Sequence, residues 1–334
     1  MELSTSRLRL SIGIPTYNGS EYIREALDSI VSQLNDIEEK IEIVISDNAS
    51  TDKTPMIIDE YKERYPGIFS YFRNEMDLGP DRNIDLSVRR SKGEYVWLFS
   101  DDDKMLEGSL KKVLSVLEEN RNIAAIFVNW QSASLDLKQQ YKIGRYGITS
   151  KSDIFCKTAD DFLHTVRLTP VLLSSNIVNR SLWEKTDNSI YMGSFWIQFA
   201  TLLSLLPGNS SYCISKPYVL YRYNNLRWDK HGEKNLKNTI SLMRIINAHS
   251  SKYSRKSVRR TVEVMFSSLP REILVSRSNS IVFKPYTLKF IKEFKKYPFF
   301  WFFIFPLMFL PSNLCTFIYN LRKSLINYKR KNET

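Results

Sequence analysis

Along the first third of the chain, short apolar runs alternate with segments whose apolar residues recur every three or four positions. Leu8 to Ile14 (LRLSIGI) predicts a strand that stops at Pro15-Thr16-Tyr17-Asn18-Gly19. Tyr22, Ile23, Ala26, Leu27, Ile30 and Val31 then carry helical spacing, with Ser20 as the expected N-cap. A second strand, Ile41 to Ile45, breaks at SDNASTD (46–52), and a helix from Thr54 to Tyr65 leads to a third strand, Phe69 to Phe72. After the loop Asn74 to Arg82, a helix over Asn83 to Arg90 precedes the apolar strand Tyr95 to Phe99, which ends in Asp101-Asp102-Asp103.

Strands and helices alternating at this spacing predict βαβ units, an α/β fold with a mostly parallel sheet flanked by helices. In such sheets ligands bind in the crevice beyond the carboxyl ends of the strands, where PTYNG, SDNASTD and SDDD all fall. Farther on, helix is expected at Gly108 to Glu119, Asp160 to Leu173 and Leu182 to Leu206. Strand is expected at Ile123 to Trp130 and extended chain at Ser215 to Tyr223. Residues 132–157 read as a variable loop, and Leu236 to Arg277 as amphipathic helix. The division predicted is a catalytic-type domain over 1–230 and a basic helical region over 231–334.

Composition narrows the classes. The chain has 334 residues, 43% of them hydrophobic, enough for a sizeable core. Cys156, Cys213 and Cys315 are scattered and odd in number, which predicts neither a disulfide framework nor a zinc site. Charges interrupt any apolar core in Met1 to Leu10, so no signal peptide is expected there. The net charge of +12 is uneven: residues 252–334 hold 17 Lys and Arg against 4 Asp and Glu.

Three carboxylates side by side repel one another, and a positive partner is expected beside them. Adjacent carboxylates in a crevice suit Mg²⁺ or Mn²⁺, held by one or two protein oxygens while a substrate's phosphates supply more. The alternative is a solvated acidic turn capping the next helix. Asp47, just beyond its strand, could accept a nucleobase N–H or simply form a local Asx-turn. Arg82, Arg89 and Arg90 follow the Gly79-Pro80 turn, where a guanidinium could meet a phosphate or remain solvated.

IPTYN (14–18), SDNASTDKT (46–54), NEMDLGPDRN (74–83) and SKGEYVWLFSDDD (91–103) occur in the order and spacing of family-2 glycosyltransferases. The chain resembles that family strongly over residues 8–130 and weakly to about 230; GPDRN joined to SDNASTD looks most like its abequosyltransferase type. The resemblance implies a GT-A (Rossmann-like) fold and transfer of a sugar, a 3,6-dideoxyhexose in that type, from a nucleotide-diphosphate donor in O-antigen synthesis. It implies that Pro15, Thr16, Tyr17, Asn18, Asp47, Arg82 and Asn83 contact the nucleotide. Ser100 stands where the family's first aspartate usually does, so Asp102 becomes the expected metal ligand, Asp101 a ribose or supporting partner, and Asp103 a further ligand. Arg222, in YRYN (221–224), resembles an arginine that closes over the donor, and His231 could reach the metal or, equally, lie in solvent. Inverting members take the acceptor's proton with a carboxylate of a Glu-Asp pair. Asn188 to Trp228 contains no Asp or Glu, leaving Asp187 and Glu184 as the nearest candidates.

The C-terminal quarter adds a partner. Tyr297 to Leu310 (YPFFWFFIFPLMFL) is too short to cross a hydrocarbon core that needs about 20 helical residues. Extended over 297–319 it is interrupted by Pro306 and Pro311, which favours an interfacial or re-entrant segment. Lysines at 289, 292, 295 and 296 precede it and basic residues at 322, 323 and 329–331 follow, so an anionic membrane surface is the expected partner. A buried helix with a solvated basic face is the alternative. Aromatic and basic residues fall in separate blocks, against single-strand nucleic-acid binding.

The sequence thus predicts a metal-dependent glycosyltransferase, peripheral or monotopic on the cytoplasmic face of a bacterial inner membrane. Its expected acceptor is an oligosaccharide on polyprenyl pyrophosphate. The rivals are a sugar-nucleotide nucleotidyltransferase, disfavoured because IPTYNGSEY is not a glycine-rich phosphate loop, and an inactive membrane-bound sugar-nucleotide-binding protein.

Overall fold

The computed structural model describes residues 8–141, 148, 150–223, 225, 233–279 and 283–332. They group into two compact units, Met1–Asn224 with Lys252–Ser257, and Asn225–Ser251 with Val258–Thr334.

The first unit opens with the alternation expected: β1 (Leu10–Thr16), α1 (Ile23–Val31), β2 (Ile41–Asp47), α2 (Thr54–Arg64), β3 (Phe69–Arg73), α3 (Pro80–Arg89) and β4 (Tyr95–Leu98). It continues through β5 (Lys104–Met105), α4 (Ser109–Glu119), β6 (Ala125–Ala133), β7 (Ile154–Cys156), α5 (Ala159–Val166), β8 (Asn176–Asn179), α6 (Arg180–Lys185), α7 (Ile197–Leu205) and β9 (Ser211–Arg222). Among the described residues nine strands form one sheet in the order β3-β2-β1-β4-β8-β6-β9-β5, with β7 on β9.

The half β3-β2-β1-β4 is parallel; its inner strands β2, β1 and β4 are buried along nearly their whole length, as parallel sheets require, while β3 at the edge is half-exposed. Gly93 lets β1 and the start of β4 approach: a Cβ there would lie 2.6 Å from Ser11 Oγ and 2.7 Å from Ser11 N. The other half is mixed, because β8 runs antiparallel to both β4 and β6. That strand is four residues long (NIVN) and was not expected.

Helical spacing predicts one helix over Leu182 to Leu206, whereas the chain breaks it into α6 and α7. The intervening loop finds polar partners on α3. Asn188 Nδ2 donates to Asp85 Oδ1 at 3.2 Å, and the amide of Phe195 to Asp81 Oδ2 at 2.7 Å. The same faces share an apolar cluster, in which Ile84 and Val88 of α3 meet Val96, Leu98, Val178, Trp183 and Ile197. Ser20 does not cap α1; its amide donates to Asp52 Oδ2 at 3.0 Å.

The second unit is helical: α8 (Glu233–His249), α9 (Arg255–Ser278, whose first residues belong to the first unit), α10 (Lys284–Phe294) and α11 (Ser312–Asn332). Helical turns at Phe300–Ile304 and Pro306–Phe309 join α10 to α11. Buried rings run from α10 into the turn after it, with Phe290 stacked on Phe294 at 5.4 Å and Phe294 on Phe300 at 5.7 Å. Among the described residues no single helix is long and apolar enough to cross a membrane.

Candidate active site

Three loops leave the same edge of the parallel half-sheet. Thr16 and Asp47 are register partners at the ends of β1 and β2, so their loops emerge side by side. The β1 loop is laced to the β2 loop: the Thr51 amide donates to Asn18 Oδ1 at 2.8 Å, and the Asn18 amide to Ser50 Oγ at 2.9 Å. Asn18 and Ala49 adopt positive φ, 49° and 63°, to make these turns. The β1 loop is also tied to the acidic turn after β4, because Thr16 Oγ1 donates to Asp101 Oδ2 at 2.6 Å. Gly19 packs directly over that bond: a Cβ there would stand 2.3 Å from Asp101 Oδ2 and 2.5 Å from Thr16 Oγ1.

Asp47 is fully buried. Its Oδ1 accepts from the Ser50 amide at 2.9 Å, the local turn foreseen as the alternative to a nucleobase contact. Its Oδ2 accepts from Tyr71 Oη at 2.8 Å. Asn83, at the first turns of α3, donates through Nδ2 to the carbonyls of Ser46 (2.8 Å) and Thr16 (3.3 Å), bracing the ends of β1 and β2 together. Arg90 reaches the same place, donating to Ser46 Oγ and Asn74 Oδ1, both at 2.8 Å. Pro15 and Tyr17 are half-buried at the rim of this edge.

The three aspartates are not equivalent. Asp103 is fully engaged by the protein: Ser174 Oγ donates to its Oδ2 at 2.6 Å and the Arg222 amide to its Oδ1 at 3.2 Å. Burial, and then the neighbouring Asp102 charge, raise its carboxyl well above the usual range. Both carboxylate oxygens of Asp103, expected as a further metal ligand, thus already accept hydrogen bonds that hold the turn. Asp101 is tied to Thr16, and Asp102 accepts from Ser100 Oγ.

The positive partner expected beside these acids is Arg222. Only 2% exposed, it donates through Nε to the Asp102 carbonyl at 2.8 Å and through Nη2 to Glu25 Oε2 at 2.8 Å, and lies 4.3 Å from the centre of the Tyr22 ring. A guanidinium held this way ties the acidic turn to α1 and the residue before it.

The donor set suits a hard divalent cation: Asp101 and Asp102 are both buried and offer only oxygen. Among the described residues no three His, Cys, Asp or Glu side chains are grouped so as to enclose a metal by themselves. Ligand oxygens would therefore have to complete its shell. His231 lies outside the described residues.

Beside α3, Arg82, Asp85, Arg89, Asp187, Asn188 and Met192 line an open cleft of about 530 Å³. The structure thus brings Arg82 and Asp187 together, while Arg82 and Arg89 both donate to the buried Asp85, at 3.1 and 2.9 Å. Asp187 is exposed, and hydrogen bonds from the Ser189 hydroxyl and amide hold its carboxyl below the usual range. Glu184 is also exposed but points to Arg180, 2.8 Å away, and is not among the cleft residues.

Sequence reasoning missed Asp81. It is 3% exposed and accepts the amides of Phe195 and Ile197, together with those of Gly193 and Ser194. It thereby holds the turn in which Phe195 has φ 72°, a conformation that bulky side chains adopt rarely. Its only sequence signal was its place inside GPDRN.

Comparison with known proteins finds relatives over most of the chain. A family profile described as "Glycosyl transferase family 2" matches residues 11–197. The chain is 32% identical over 255 residues to the abequosyltransferase RfbV of Salmonella typhimurium, covering 73% of this chain and 76% of that one. It is 31% identical over 115 residues to a poly(ribitol-phosphate) beta-glucosyltransferase of Bacillus spizizenii, covering 34% of this chain and 18% of that protein. Among solved structures, S. aureus TarS 1-349 in complex with UDP-GlcNAc superimposes with a TM-score of 0.60 at 16% identity, over 86% of this chain and 87% of that one. The mannosyltransferase PcManGT of Pyrobaculum calidifontis, in complex with GDP-Man and Mn2+, gives 0.54 at 18% identity, over 82% and 74%. These structural likenesses carry the fold, GT-A, and nothing finer.

Proposed function

Because the chain belongs to glycosyl transferase family 2, we propose that it moves a sugar from a nucleotide-diphosphate donor to an oligosaccharide on polyprenyl pyrophosphate. The place of action is the cytoplasmic face of a bacterial inner membrane, within O-antigen synthesis. The observation that carries this reading is the Thr16–Asp101 bond beside the Thr16–Asp47 register, which gathers three polar loops at one sheet edge.

In this reading Pro15, Thr16, Tyr17, Asn18 and Asp47 form the nucleotide cradle, with Asn83 bracing it and Arg82 facing the phosphates or the acceptor. Asp102, helped by Asp101, would hold Mn²⁺ or Mg²⁺, which when bound offsets negative charge on the departing diphosphate. The acceptor's hydroxyl oxygen attacks the anomeric carbon, the bond from that carbon to the diphosphate oxygen breaks, and the hydroxyl proton passes to a carboxylate. Asp187 is the candidate base, since it lines the cleft beside Arg82 and Glu184 does not. The 32% identity to an abequosyltransferase over 73% of the chain supports a 3,6-dideoxyhexose as the sugar.

A second reading, a sugar-nucleotide-binding protein without transferase activity, is favoured only by the lack of Asp and Glu from Asn188 to Trp228. The test is a panel of CDP-, UDP-, GDP- and dTDP-sugars. A matching donor should raise the melting temperature in a Mn²⁺-dependent way. It should also release nucleotide diphosphate when lipid-linked acceptor is added. Donor binding with neither transfer nor hydrolysis would leave the binding-protein reading standing instead.

A further inference from the structure

We propose that residues 284–321 seat the protein on one leaflet of an anionic membrane as a bent wedge that does not span it; this rests on the lipid-acceptor reading for its purpose, though its geometry stands alone. The apolar surface is concentrated there. Phe302 is 76% exposed, Phe317 64%, Phe303 58% and Phe309 55%, while Phe290, Phe294 and Phe300 beneath them are fully buried. The segment is thus anchored by one set of rings and presents another outward.

Its shape excludes a straight span. Phe300–Phe309 and Ser312–Leu321 are long and apolar enough to cross a membrane only taken together, and they are bent by 117°. Backbone that leaves a helix within hydrocarbon must find its hydrogen bonds inside the protein. The break does so: Arg277 donates through Nε and Nη2 to the Leu310 carbonyl, at 3.0 and 2.6 Å. A guanidinium so held places the bend at the depth of headgroups rather than of acyl chains.

The charge points to the occupant. Lys289, Lys292, Lys295 and Lys296 are all exposed along one side of α10 and its end. The helix's acid, Glu293, is turned inward, 6% exposed, where Asn247 donates to it at 3.2 Å and Arg244 lies 3.5 Å away. It therefore offsets little of the lysine face. Trp301 joins the two surfaces, its indole Nε1 donating to the Lys295 carbonyl at 2.9 Å, and indoles favour the headgroup level. A basic face coupled to an aromatic wedge is complementary to anionic lipid. A second copy of this chain would bring the same positive charge to the contact.

The full-length protein should float with phosphatidylglycerol-containing vesicles and bind pure phosphatidylcholine vesicles at least about tenfold more weakly. Lys289→Ser combined with Lys292→Ser, Lys295→Ser and Lys296→Ser should remove that preference. Phe302→Ser with Phe303→Ser should weaken binding to both vesicle types. The part of the tryptophan quenching that disappears in Trp301→Phe should be stronger with bromines near the headgroups than with bromines at the acyl ends. Equal binding to both lipids, deep quenching, or a dimer that the phenylalanine pair abolishes without any vesicle binding would overturn the wedge. Donor hydrolysis in lipid-free buffer, measured on the same preparations, tests the transferase separately. A wild type that floats but never turns over loses the enzymatic reading and keeps the wedge, whereas one that turns over and never floats does the reverse.

Discussion

Thr16 Oγ1 donates to Asp101 Oδ2 across 2.6 Å, joining the first strand's loop to the acidic turn of the fourth. Gly19 leaves room for that bond, and a methyl group there would collide with both partners. Gly19→Ala should therefore displace Asp101 and reduce sugar transfer by roughly 100-fold, the scale of an ångström-sized misplacement. Thr16→Val removes the bond but keeps the volume, and should weaken donor binding about fivefold, near 1 kcal/mol. Titration calorimetry with the matching donor checks the second, and steady-state transfer the first.

Asp102 and Asp103 are adjacent in sequence and opposite in consequence. Asp102→Ala should lower turnover by about 10²–10³-fold, the loss expected when charge stabilisation at a leaving group is removed. It should also flatten the dependence of donor binding on Mn²⁺. Asp103→Ala instead leaves Ser174 Oγ and the Arg222 amide without their acceptor, so it should lower the melting temperature. An Asp102→Ala enzyme at full rate, or an Asp103→Ala enzyme that melts like wild type, would reverse these roles.

The first four strands were legible because each is an apolar run ended by a polar loop, and their parallel pairing follows from the intervening helices. The four residues of β8 were not, since NIVN carries too few positions for a period to show. Leu182 to Leu206 kept helical spacing throughout, yet the chain breaks where Asp81 and Asp85, about 100 positions earlier, capture its polar groups. No local pattern reports such a capture. Nor could three identical aspartates in a row reveal which one Ser174 and the Arg222 amide would hold, since those groups are brought up by the turn before β8 and by the end of β9, from the second half of the unit.

Asp187 and Glu184 separate by substitution, and Asp187 also by its pH profile. Ser189 holds the Asp187 carboxyl below the usual aspartate range, so a base at Asp187 stays ionised through neutrality and transfer falls only as pH drops through that lowered value. Ser189→Ala should move this acid limb upward, toward the ordinary aspartate value of 3.8, without abolishing activity at neutral pH. Asp187→Asn should cost about 10²–10⁴-fold at every pH, the usual weight of a general base. Glu184→Gln should change transfer less than about twofold. The profile of kcat/KM against pH decides; an acid limb indifferent to Ser189 would remove Asp187 from the reaction.

Asp81 gives the clearest stability prediction. Its buried carboxylate collects the amides of a turn that would otherwise leave them unpaired, so Asp81→Ala should destabilise the first unit by about 1–3 kcal/mol. Burial raises its carboxyl above the ordinary value, so the folded chain holds that proton more tightly than the unfolded chain. The sign follows from linkage. The stabilisation gained by binding that proton is fully present below the unfolded value and is lost as pH rises through the raised folded one. Asp81→Asn carries no such slope, so wild type should lose stability relative to it across that window, as read by urea unfolding at several pH values. Parallel curves for the two proteins would mean that the amides hold the carboxylate ionised throughout, leaving Asp81 a fixed anion that caps the 193–197 turn.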